Sequence, residues 1–313
     1  MSILRWRYQL LWFFRKVRRK VFGTPICLKR YGGKTVISNE KAGNLLAKWI
    51  ETGQPFMAGR FGGTELNAMV NQELDNFGEE GKSEAVHLLV NYSGFFPDKQ
   101  ELLEKFCNVM YNSCKNLDLL AVWDNYMEDY MVSQYVARSC VFPHLRSLEP
   151  WYTNTPWTAS LKGKKVLVIH PFEKTIRSQY ARREKLFPGT DILPEFKELY
   201  ILKAVQTIAG RTDERFSDWF EALNWMYDEA MKYDFDLAIL GCGAYGFPLA
   251  AKIKEAGRQA VHMGGALQLW FGIKGKRWDT HPEISKLYNE YWVRPDESEK
   301  PERAEVVEEG CYW

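Results

Sequence analysis

The chain has 313 residues, 46% of them apolar and 26% charged, with a formal net charge of +2. That length suits one large α/β domain or two small ones, and the apolar fraction excludes a largely disordered chain. The charge is uneven: residues 1–22 hold seven of the 42 basic residues and no acid, so the remainder sets 35 bases against 40 acids; an acidic body excludes a general nucleic-acid binder, whose affinity comes mainly from phosphate contacts.

The first predicted element spans residues 3–22. On a helical wheel Ile3, Trp6, Leu10, Phe13, Phe14, Val17 and Val21 share an arc of about 100°, and most of the cations fall outside it. This amphipathic segment, residues 1–23, either lies on a membrane surface or docks on the protein's own body. An anionic cytoplasmic leaflet would attract its cations. Its longest apolar run, Leu10–Phe14, is too short to span a bilayer. No signal-peptide pattern is present. Cys27, Cys107, Cys114, Cys140, Cys242 and Cys311 show neither C-x-x-C nor zinc-finger spacing and read as thiols of a reducing compartment. The expected location is cytoplasmic, peripheral on the inner face of the cell membrane.

Ser38 or Asn39 caps a predicted helix running to Glu51. A short strand follows at 54–58, then helices at 64–74, 82–92 and 98–113, a strand at 118–122 and a helix at 125–137. Residues 140–163 carry Pro143, Pro150 and Pro156 with little periodicity and read as loop. Strands are expected at 164–169, 198–204, 235–240 and 259–263. Residues 174–187 read as helical or irregular. Helices are expected at 217–232 and 246–256. Residues 34–293 thus form one α/β domain, a mostly parallel Rossmann-like sheet with helices on both faces. Residues 294–313, rich in Glu and Pro, read as an acidic, flexible tail. Aromatic residues make up 15% of the chain, including twelve Trp. They belong either to a large core or to a carbohydrate- or membrane-facing surface.

In such sheets ligands bind beyond the carboxyl ends of the strands. Arg60–Glu65, Asp124, His170, Gly241–Gly246 and His262–Gly265 should therefore converge. Gly241-Cys-Gly243-Ala-Tyr-Gly246 matches a dinucleotide fingerprint and sits in a strand–turn–helix context, where bare N–H groups meet the positive end of a helix dipole. A tight packing turn accounts for it equally well. A nucleotide-cofactor (NAD) oxidoreductase is one reading, against which His262-Met-Gly-Gly265 stands where a ribose-binding acid is needed. Glu65, with Gly62, Gly63 and Thr64 before it, suits a cation, a proton or a sugar hydroxyl, or simply stabilises its helix dipole. Arg60, Lys274 and Arg277 suit a diphosphate. Asp124, His170 and His262 are candidate bases or orienters.

Arg60-Phe-Gly-Gly-Thr-Glu65 and the 236–278 region resemble bacterial glycosyltransferases of the GT-D fold, which carry Arg-[Phe/Tyr]-Gly-Asp-Gly-Glu after an early strand and a glycine-containing turn late in the chain. The resemblance implies a nucleotide-diphosphate sugar as donor, a divalent cation (Mn or Mg) and a sugar transfer. Glu65 carries over as donor or metal ligand, whereas Gly63 stands where the family has Asp, so cations such as Arg60, Lys274 and Arg277 would take over stabilisation of the leaving diphosphate. The expected function is sugar transfer to a lipid-linked or glycan acceptor in cell-surface polysaccharide synthesis. A non-catalytic nucleotide-sugar-binding protein is the further alternative.

Overall fold

A computed structural model describes residues 3–22, 29–74, 78–307 and 309–313. Helix α1 (Ile3–Phe22) comes first, then a short antiparallel pair, β1 (Arg30–Tyr31) and β2 (Lys34–Ile37). Next are α2 (Asn39–Thr52), β3 (Phe56–Gly59), α3 (Gly63–Leu74), α4 (Gly78–Tyr92), α5 (Leu103–Cys114), β4 (Leu119–Leu120), α6 (Glu128–Tyr135) and β5 (Phe142–Pro143). The second half runs β6 (Lys165–His170), α7 (Glu173–Tyr180), α8 (Arg183–Leu186), β7 (Glu198–Lys203), α9 (Trp219–Ala230), β8 (Leu237–Leu240), α10 (Gly246–Glu255), β9 (Gln259–His262) and α11 (Leu267–Trp270).

Six strands form the main sheet in the order β4-β3-β9-β8-β6-β7, with every pairing parallel. The register sets Met57 beside Ala260, Ala260 beside Ala238 and Val168 beside Ile239. Side chains alternate between two cores. Met57, Leu167, Ile169, Ala238, Leu240 and Ala260 enter one, with Leu66, Leu89, Phe106, Trp219 and Leu249 from α3, α4, α5, α9 and α10. Phe56, Ala58, Val166, Val168, Ile239 and Val261 enter the other, with Leu46, Ile176 and Leu267 from α2, α7 and α11. Burial on both faces explains why these strands read as unbroken apolar runs rather than alternating ones.

Local chemistry sets the helix ends. Ser38 accepts from Lys41 N at 3.3 Å to start α2, and Gly53 (φ 69°) ends it in the left-handed region. Asp218 accepts from Glu221 N at 2.9 Å to start α9. Much of the aromatic content is core, since Trp157, Trp219 and Trp270 are fully buried.

Two stretches differ from the sequence reading. Residues 140–163, expected as loop, contribute β5, which pairs in parallel with β2, and a series of 3₁₀ turns that bury Leu148, Trp157 and Leu161. Prolines break the periodicity there without preventing burial. The described part of 294–313, expected as a flexible tail, packs on the body: the Glu299 carboxylate accepts from Lys174 N at 2.6 Å and Thr175 N at 3.1 Å, capping α7, and Ala304 and Val307 are buried. A composition typical of disorder is offset here by a carboxylate capping a helix together with buried apolar contacts.

Candidate functional site

The segments that follow β3, β4, β6, β7, β8 and β9 open onto one cavity of about 490 Å³, a size ordinary for small-molecule sites. Arg60 and Gly62–Glu65 form one wall, and Gly241, Cys242, Gly243 and Tyr245 form another. The early arginine–glutamate corner and the late glycine turn therefore share a cleft, although β9 lies between β3 and β8 in the sheet.

Arg60 leaves β3 and lies with its stem over the backbone of Gly264. Its guanidinium sits 4.4 Å from the centre of the Trp123 ring, and its Nε–H donates to Phe61 O at 3.2 Å. The same carbonyl accepts from Trp123 Nε1 at 3.1 Å, so ring and guanidinium are held together. Burial lowers the Arg60 pKa, with Tyr312, Glu65 and Glu149 acting in the opposite sense. Among the described residues no acid lies within ion-pair distance of it. A desolvated guanidinium without a paired acid is strongly stabilised by an incoming anion.

Glu65 occupies the first turn of α3 and is 6% exposed. Its carboxylate folds back against Gly62, where an added Cβ would lie 1.7 Å from Oε2, and it accepts from Thr64 Oγ1 at 3.1 Å. Only glycine at 62 leaves room for that carboxylate. Thr64 Oγ1 also pairs closely with Ser93 Oγ at the end of α4.

Each glycine of the 241–246 turn has a packing reason. A Cβ on Gly241 would stand 2.8 Å from Gly264 O and 2.9 Å from His170 Cδ2. Gly243 has φ 57° and approaches Ser93 O, where a Cβ would be 2.6 Å away. Gly246 faces the His262 ring, whose Nδ1 would lie 2.3 Å from its Cβ. Gly241 and Gly243 line the cavity; Gly246 does not. Gly265 also lines it and is packed under the Tyr312 ring.

Burial holds both histidines neutral. His170 Nδ1 accepts from Phe172 N at 3.0 Å, so a neutral ring carries its proton on Nε2. Burial pushes its pKa down to about 3. His262 is likewise pushed to about 3, first by burial and then by Arg60. His170 is thus a hydrogen-bond donor at the cleft, and His262, which also lines the cleft, is a neutral ring wedged against α10.

Asp124, expected in the cleft, points away from it. The chain turns there with φ 61°, and the carboxylate pairs with Arg15 at 3.0 Å and Arg19 at 2.6 Å on α1. Lys274 also falls outside, its ammonium 5.3 Å from the centre of the Tyr288 ring. Arg277 reaches the rim, donating to Tyr312 Oη at 3.2 Å.

The sequence reading missed Glu149, which follows a 3₁₀ turn and lines the cavity. Burial raises its carboxyl to about 7, with Arg60 and Arg146 acting the other way. It also missed the aromatic wall of Trp123, Trp278, Tyr312 and Trp313. Glutamate beside Pro150-Trp151-Tyr152 was the available signal, because an acid among aromatics in an aperiodic stretch is unusual for a solvated loop.

Among the described residues no group of three His, Cys, Asp or Glu converges to hold a metal. Glu65 offers a carboxylate and Gly63 none, so a divalent cation at this corner would be held by Glu65 together with ligand phosphates rather than by a protein cage. The positive charge at the cleft comes from Arg60 and Arg277.

No protein-family model matches the chain, and no curated protein matches it. Two solved structures are similar. One, described as "The highly conserved domain of unknown function 1792 has a distinct glycosyltransferase fold", is 13% identical over 73% of this chain and 77% of that one, with a TM-score of 0.43. The other, a selenomethionine-substituted structure of domain of unknown function 1792, is 14% identical over 74% and 78%, with a TM-score of 0.44.

Proposed function

We propose that the protein is a glycosyltransferase that moves a sugar from a nucleotide-diphosphate donor to a lipid-linked or glycan acceptor in cell-surface polysaccharide synthesis, on the cytoplasmic side of the membrane. The observation that carries this reading is Arg60: a desolvated guanidinium stacked on Trp123, with no ion pair among the described residues, in a cleft that Glu65 and Glu149 also line and that aromatic rings wall.

The diphosphate lies against Arg60, with Arg277 at the rim and the N-terminus of α3 behind it. The nucleobase and sugar rings of the donor stack on the tryptophan and tyrosine wall. Glu65, already accepting from Thr64, takes hydroxyl donors of the sugar or ribose. His170 Nε2–H donates to a ligand oxygen. Glu149 removes the proton of the acceptor hydroxyl as that oxygen bonds to the anomeric carbon. The bond from that carbon to the diphosphate breaks, and the charge gathering on the leaving oxygens meets the arginines. The oxidoreductase alternative weakens, because the three glycines are occupied by packing and β9 ends in His262.

The test is turnover of a panel of UDP- and GDP-sugars by the purified chain, read as nucleoside diphosphate released with and without glycan or lipid-linked acceptors. The reading predicts release that an acceptor accelerates. Tight binding with no release under any condition would leave a non-catalytic binding protein instead.

A further inference from the structure

Among the described residues nine large apolar side chains are exposed, and eight of them belong to α1. Six form one ridge at helical spacing: Trp6, Leu10, Phe13, Phe14, Val17 and Val21, between 42% and 67% exposed. The opposite side of α1 is fastened to the body. Tyr8 is buried with its ring 6.0 Å from that of Tyr130, and Trp12 lies 4.9 Å from Tyr126. Arg15 pairs with Asp124 and Asp129, and Arg19 pairs with Asp124. Asp129 and Asp124 hold the Arg15 guanidinium above its ordinary range despite its burial. The body thus fixes the roll of α1 about its axis and turns the ridge outward.

Charge decides what covers that ridge. The helix carries no acid, and Arg7, Lys16, Arg18 and Lys20 are exposed. At about 100° per residue, Arg7 and Arg18 flank the ridge on one side and Lys16 and Lys20 on the other. Two copies packed ridge to ridge would bring these rows of like charge together. An anionic lipid surface meets them with opposite charge and receives the aromatic ridge below its headgroups. No described helix is long and apolar enough to cross a membrane, which suits a helix lying in the interface.

We infer that α1 docks the whole protein on an anionic bilayer as a rigid fin, with its ridge in the lipid and its Arg15–Asp124 face toward the body. Asp124 directly follows Trp123, the ring that supports Arg60, so the docked helix and the cleft wall share one turn. The inference does not depend on what the cleft binds. Its test is flotation of the full chain with vesicles of phosphatidylcholine alone or mixed with phosphatidylglycerol. The wild type should float with the mixed vesicles, less so at high salt, and poorly with phosphatidylcholine alone. Phe13→Ser/Phe14→Ser should lower the partition roughly tenfold or more with an unchanged melting temperature, since both rings are exposed. Arg7→Gln/Arg18→Gln should lose most of the preference for the anionic lipid. Equal flotation of the Phe13→Ser/Phe14→Ser variant, or no flotation of the wild type, overturns the inference. So does a wild-type dimer without lipid that the same variant dissociates, because the ridge is then a self-association surface.

Discussion

Replacing Glu149 with Gln tests the base assignment, and the pH dependence gives its size. Burial raises this carboxyl from its ordinary 4.5 to about 7. A base must be ionised, so the rate follows the deprotonated fraction, roughly one tenth at pH 6 and nine tenths at pH 8. The value of kcat/KM for donor and acceptor should therefore rise about tenfold between those pH values. An ordinary glutamate would be ionised throughout and give a flat profile. Glu149→Gln should abolish the rising limb and lower the rate about 10²- to 10⁴-fold. Arg60 acts to lower the Glu149 pKa. Arg60→Gln should therefore move the limb to higher pH as well as slow the reaction. The assay is initial-rate release of nucleoside diphosphate in a constant-ionic-strength buffer series. A flat wild-type profile from pH 6 to 8, or a Glu149→Gln enzyme with near-normal rate, would refute the reasoning.

Gly241→Ala should cost about 1–3 kcal/mol in chemical denaturation, because the added methyl meets Gly264 O at 2.8 Å and Leu267 Cβ at 2.9 Å, and neither can yield without moving backbone; a cost near zero would show the turn to be looser than described. Glu128 is fully buried, accepts from Tyr31 Oη at 2.7 Å, and is raised by burial to about 7 from 4.5. Between those pH values the native state holds a proton that the unfolded chain has lost, so stability falls as pH rises through this window, by about 3 kcal/mol in all. Glu128→Gln should lack that fall, and a wild-type-minus-variant difference independent of pH would contradict it. Asp124→Ala removes the shared partner of Arg15 and Arg19. It should speed limited proteolysis within α1 while leaving cleavage of the sheet domain unchanged.

The sheet was legible because its strands are buried on both faces, which leaves runs such as Lys164–Ile169 and Asp236–Leu240 that no surface segment would carry. Parallel order then follows from their alternation with helices, and with it the meeting of Arg60, Glu65, His170 and Gly241 beyond the strand ends. Individual side-chain roles were less legible. Asp124 ends a strand as a catalytic acid would, but one left-handed residue turns it toward α1. His170 stands at the cleft, yet a backbone N–H two residues later fixes its tautomer. Glu149 gains its character only from burial beside Arg60, a property of packing that spacing does not encode. The tail misled through composition, since Glu299 is an acid in a charged run that happens to meet a helix N-terminus.

The claim that the Arg60–Glu65 corner and the 241–246 turn form one diphosphate-binding cleft is tested most directly by calorimetric titration of UDP and GDP into the wild-type and Arg60→Gln proteins. The account predicts saturable binding of at least one of them without added metal, weakened roughly tenfold or more in Arg60→Gln, as the loss of a charge-assisted contact requires. Undiminished affinity in Arg60→Gln, or no binding of either nucleotide to the wild type, would contradict it.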